Sequence, residues 1–119
     1  MPRTQGFKAF NPVIVCCDMN YTLAILGFER AVDRSLRLLL GSHPGLSLAG
    51  AEEIPDILLF VPRDVESVKA LRVRYPRTKF LAVLGWHRRE QFQDAPIDDF
   101  IDFVLGYQHL LERIAAACG

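Results

Sequence analysis

Cysteine is scarce: Cys16, Cys17 and Cys118 are the only three among 119 residues, and two are adjacent. That is no disulfide framework, so a reducing, cytoplasmic setting is the default expectation. No apolar run nears the ~18 residues of a spanning helix, and no membrane partner is expected. Residues 1–12 carry Arg3 and Lys8 but no apolar core, so they do not form a secretory signal. Formal net charge is zero, which gives no bulk attraction to nucleic acid or membrane. His43, His87 and His109 are scattered without metal-ligand spacing. Nucleophile-elbow, dinucleotide and phosphate-loop glycine motifs are missing. No metal, cofactor or enzymatic activity is expected.

What is present is apolar, and it is patterned. Half the residues are hydrophobic, enough for one core without staples in a chain of one-domain length. Residues 1–12 read as a flexible tail and 13–119 as the domain. The run VIVCC at 13–17 reads as a strand buried on both faces. The span 21–40 has helical spacing, with Ile25, Phe28, Val32, Leu36 and Leu39 on one stripe. GSHPG at 41–45 stops that helix. Short strands are expected over 46–49 and 57–61. Asp64 caps a helix burying Val65, Val68, Leu71 and Tyr75. Further strands are expected over 80–84 and 99–104, the latter an edge strand because acids lie on it. The polar span 85–96 holds at most a short helix. Tyr107, Leu110, Leu111, Ile114 and Cys118 mark the last helix. Alternating strands and helices predict a parallel α/β sheet with helices on both faces.

Between the second and third strands, GAEEIP at 50–55 has no room for a helix. Six extended residues reach about 20 Å, and crossing one strand needs roughly 10 Å. An extended crossover is therefore expected there.

Charge is balanced in total but not along the chain. Positions 63–89 hold eight basic residues and two acids; positions 90–112 hold six acids and no Lys or Arg. The two runs are either solvated faces or complementary surfaces that steer association.

PDILLFV, ALRVRYPRTKFLAVLG, DDFIDFV and LLERIAA, in this order, resemble the receiver domain of two-component response regulators. SHPGLSLAGAEE resembles that family's join of first helix and second strand. The resemblance covers nearly all the chain after the tail. It implies a flavodoxin/receiver-like sandwich of about five parallel strands in order 2-1-3-4-5, here with the second helix missing and the first helix long. It is closest to receivers that precede a helix-turn-helix domain. A DNA contact would then belong to a separate domain.

The family's active residues are mostly missing. Its acidic pair matches Cys17 and Asp18, its phosphate acceptor Val61, its hydroxyl position Leu84 and its lysine position Phe103. Phosphoryl transfer needs an oxygen nucleophile, a hard cation on oxygen ligands and donors for developing charge. Asp18 beside Val61, Leu84 and Phe103 offers almost none of that. The resemblance thus implies a non-phosphorylated pseudo-receiver, acting by protein–protein contact with signalling or transcription proteins. A homodimer through the face spanning 86–114 follows from the family's output face. Trp86, Arg88, Arg89, Phe92, Asp98, Asp99, Asp102 and Tyr107 are its candidate residues, with each arginine pair reaching the other subunit's acids. Two other readings stand beside it. The emptied pocket around Asp18, Val61 and Leu84 could hold a small apolar ligand. Cys16 or Cys17 could serve a thiol-dependent phosphotransfer enzyme, although buried packing is the usual role of free cysteine.

Overall fold

The structure, a computed structural model, describes residues 21–118, with the side chains of Trp86, Phe103 and Cys118 excepted. The expected tail over 1–12 and strand over 13–17 lie outside the described residues, as do Cys16, Cys17 and Asp18.

Tyr21–Leu26 forms β1. This corrects the helical expectation for 21–40, whose first third is a strand. Leu23 and Ile25 are both buried toward one core, an alternation of period two. Gly27, at φ +84°, then turns the chain. Helix α1 is Arg30–Gly41, twelve residues. Its buried positions are Leu36 and Leu40; Leu39 is half-exposed. β2 is Leu46–Leu48 and β3 is Ile57–Phe60. The connection between them contains turns and no helix, as the spacing predicts.

Helix α2, Val65–Arg74, begins with a reciprocal cap. The Ser67 amide donates to Asp64 Oδ1 at 2.7 Å, and the Asp64 amide donates to the Ser67 hydroxyl at 3.3 Å. Two otherwise orphaned backbone donors are satisfied this way. β4 is Lys79–Val83, followed by a 3-10 segment, Trp86–Phe92. β5, Asp99–Ile101, is shorter than expected, because Phe103–Leu105 turns into a 3-10 helix. Helix α3 is Tyr107–Cys118.

The five strands are all parallel, in the order β2-β1-β3-β4-β5. The arrangement is consistent with a flavodoxin-like fold. Side-chain alternation separates two cores. On one face Leu23, Ile25, Ile57, Leu59, Leu81 and Ile101 pack with α1 and α3. On the other, Leu58, Phe60, Phe80 and Ala82 pack under α2 and Phe92. β3 and β4 are buried on both faces, which is why they read as continuous apolar runs.

Candidate functional site

In open parallel sheets, ligands bind at the carboxyl ends of the strands where the strand order reverses. Here that point lies between β1 and β3. The residues leaving these strands are Leu26 and Gly27 from β1 and Val61 and Pro62 from β3. The Val61 amide donates to the Leu26 carbonyl at 3.1 Å, holding the two ends together. Leu84, leaving β4, is buried in the second-face core, and its amide donates to the Ile101 carbonyl at 3.1 Å.

Since β1 is Tyr21–Leu26, the place just past the first strand of this sheet is Gly27–Phe28. Cys17 and Asp18, to which the resemblance assigned that place, lie outside the described residues. Among the described residues no three His, Cys, Asp or Glu side chains gather to hold a metal ion. Asp64, the nearest acid in sequence after Val61, is used in its helix cap.

Gly27 also fixes the shape of this end. A Cβ there would lie 2.9 Å from the Val61 carbonyl oxygen, on top of the strain of positive φ. Gly106, at φ +93°, has nothing within 4 Å of the same position. Gly27→Ala should therefore cost about 2 kcal/mol or more, and Gly106→Ala only about 1 kcal/mol. Urea unfolding of the two variants measures the difference. Equal losses would mean that the approach of β1 to Val61 is not tight.

A hollow of about 400 Å³ opens beside this end. Leu26, Gly27, Phe60, Val61 and Pro62 form its floor, and Ser67, Ala70 and Leu71 of α2 form one wall. Arg63 and Arg74 complete the lining. Leu26 is 46% exposed, so the hollow is open there.

The face spanning 86–114 is arranged differently from the expectation. Phe92 is only 2% exposed and belongs to the second-face core, so it cannot meet a partner. The acids are engaged within the chain. Asp98 pairs with Arg72 at 3.0 Å and accepts the Phe80 amide at 2.7 Å. Asp99 pairs with Arg113 at 2.9 Å, and Asp102 accepts the Val104 amide at 3.0 Å. Arg88 and Arg89 lie 5.9 and 5.5 Å from the Phe92 and Phe100 rings. The side chains of Trp86 and Phe103 lie outside the described set. Tyr107 is half-buried against the first-face core, and burial lifts its hydroxyl above the ordinary tyrosine pKa.

Sequence reading missed the exposed apolar groups of this region. Val104 and Leu105 are 89% and 61% exposed. Next to them an open apolar hollow of about 310 Å³ is lined by Val32, Leu36 and Leu39 of α1 and by Gly106 and Tyr107. Apolar exposure set by a 3-10 turn has no periodic signal that could have revealed it.

The fold thus defines a parallel α/β domain with an apolar, carboxylate-poor strand end. No protein-family model matches the chain, and no curated protein matches it significantly.

Proposed function

We propose that the chain is a receiver-like regulatory module that carries no phosphoryl group and works by protein–protein contact, in cytoplasmic signalling or transcriptional control. The observation that supports it is the chemistry of the strand ends. Leu26, Gly27, Val61 and Leu84 supply neither a nucleophile nor oxygen ligands for a hard cation. A homodimer through the 86–114 face would draw its apolar contact from Val104 and Leu105, because Phe92 is internal and Asp98, Asp99 and Asp102 are already bonded. Arginine–acid pairs across such an interface would compete with the existing ones and add little.

A second reading, a sensor for a small apolar ligand, is favoured by the open hollow at the switch point between β1 and β3. An amide NMR titration with Mg²⁺ and then beryllofluoride tests the first reading. No shift is expected at Gly27, Val61 or Leu84. Saturable shifts clustered there would mean that the site still takes a phosphoryl group, and the reading would fall.

A further inference from the structure

One face of this sheet is short of a helix. Between β2 and β3 the chain crosses β1 through turns alone and is bonded to its amino-terminal half at Thr22, so among the described residues no helix packs beside α2 over the carboxyl end of β1. On this face Thr22 is bonded to Asp56 of the crossing segment and Ala24 packs into the second-face core, while Leu26 of β1 and Ser47 of β2 are exposed. Helix α2 bounds the open part. Its Ser67, Ala70, Leu71 and Arg74 recur at helical spacing along the wall of the 400 Å³ hollow. The hollow runs as a trough between α2 and the exposed end of β1, from Arg63 to Arg74.

Its charge is one-sided. Arg63 and Arg74 line it near the two ends of α2, and neither enters an ion pair among the described residues. Of the acids flanking its lining, Asp64 caps α2 and Glu66 pairs with Lys69 at 3.6 Å, while Glu29 is exposed at the start of α1. The helices of a second copy do not match this field. Helix α1 carries Arg30, Arg34 and Arg37 against the single Asp33, and α3 carries one acid, Glu112.

We propose that this trough docks an amphipathic helix from a partner protein, with an apolar face meeting Leu26, Ala70 and Leu71 and a carboxylate toward each end meeting Arg63 and Arg74. Helix α2 is ten residues long, so the docked segment spans about three turns. The contact completes the missing layer of the sandwich by the helix-in-groove mode. Small groups at Gly27, Ser67 and Ala70 let the incoming backbone approach closely. The assignment rests on the protein-contact reading above.

The probe is a displayed library of helix-forming peptides of roughly 18 residues, apolar on one face, made with either Glu or Lys at the flanking positions. It is selected against the full chain, and the winners are titrated into ¹⁵N-labelled protein. Glu peptides should win by roughly tenfold, moving the amides of Leu26, Gly27, Ser67, Ala70 and Leu71. The double variant Arg63→Glu/Arg74→Glu should reverse the preference. Ala70→Trp should abolish binding with the charges intact. No enrichment, or a preference for Lys, overturns the proposal. Peptide shifts confined to the 86–114 face overturn it too, while the protein-contact reading survives. That reading itself fails if no peptide binds anywhere and beryllofluoride does. Two controls on the free protein address other occupants. Trough amides that move on dilution mean that a second copy sits there. Trough amides that move in the full chain with Ile14→Asp mean that the chain's own amino-terminal segment does. Either result overturns the proposal.

Discussion

Arg72→Ala should lower the unfolding free energy by about 3 kcal/mol. The Arg72 guanidinium serves as a clamp. Its Nη1 donates to the carbonyls of Thr78 at 2.8 Å, Pro76 at 3.3 Å and Tyr75 at 3.5 Å. Its Nη2 donates to the Pro96 carbonyl at 2.9 Å and to Asp98 Oδ2 at 3.0 Å. The guanidinium carbon lies 3.9 Å from the centre of the Phe80 ring. One side chain thus joins the end of α2, the turn into β4 and the loop into β5. The ion pair alone would matter little, because Asp98 is 40% exposed and solvent screens it. The weight comes from carbonyls left without a donor and from the lost stacking, and Arg72 itself is only 24% exposed. For a chain of this size the midpoint should fall by about 10 °C. Arg72→Lys should recover less than half of the loss, since an ammonium cannot present the planar fork. A loss under about 1 kcal/mol in urea unfolding would mean that water replaces the guanidinium at these carbonyls.

This clamp also changes how the basic run over 63–89 is understood. Counting charge along the chain shows sign but not direction. Arg72 points inward and Asp98 answers it, so part of both charged runs is internal wiring. Arg63 and Arg74, in the same run, face the open trough instead. The same limit applied to the fold. The α2 cap at Asp64 and the missing second helix were legible, because each depends on local chemistry: a carboxylate ahead of an apolar helical stripe, and a connection too short to coil; the strand order came from the family resemblance and agrees with the sheet. β1 was not legible. YTLAIL at 21–26 fits a strand, yet Ile25 also falls in helical register with Phe28 and Val32, and a short apolar run cannot be assigned by periodicity alone. Placing the first strand at VIVCC then carried the family's acidic position to Cys17 and Asp18. In the sheet, the residue that follows β1 is Gly27. Val61 and Leu84 were placed correctly at strand ends because β3 and β4 are buried on both faces and have no helical competitor. The trough was half legible. Its cause lay in GAEEIP, but its lining comes from three separate segments that only the folded chain brings together.

The larger loss is expected at Phe60, the floor of that trough. Phe60 is 1% exposed and meets Phe80 edge-on, with centroids 5.5 Å apart and planes at 72°. Phe60→Ala removes a large buried side chain beneath a wall that α2 holds in place, so the cavity cannot collapse fully. The cost should be about 4 kcal/mol, of which roughly 1 kcal/mol belongs to the ring pair. Phe60→Leu should cost roughly half as much, retaining apolar burial while losing the aromatic geometry. Val73→Ala, at an 83% exposed position on the same helix, should change stability by no more than about 0.5 kcal/mol. The sharper test is the double variant Phe60→Ala/Arg72→Ala. Phe80 is pinned by the Phe60 edge and by the Arg72 guanidinium. Removing either partner leaves it half-held, and removing the second then costs less than it would alone. The combined loss should fall short of the sum by about 0.5–1 kcal/mol. Unfolding of all four proteins in urea measures the shortfall. Additivity within about 0.3 kcal/mol would mean that Phe80 is held by the rest of the core, and that α2 and the trough floor are energetically independent. Coupling of the expected size would mean that a helix docked in the trough presses on the element that anchors the β4–β5 edge. Occupancy at one end of the sheet would then be felt at the 86–114 face.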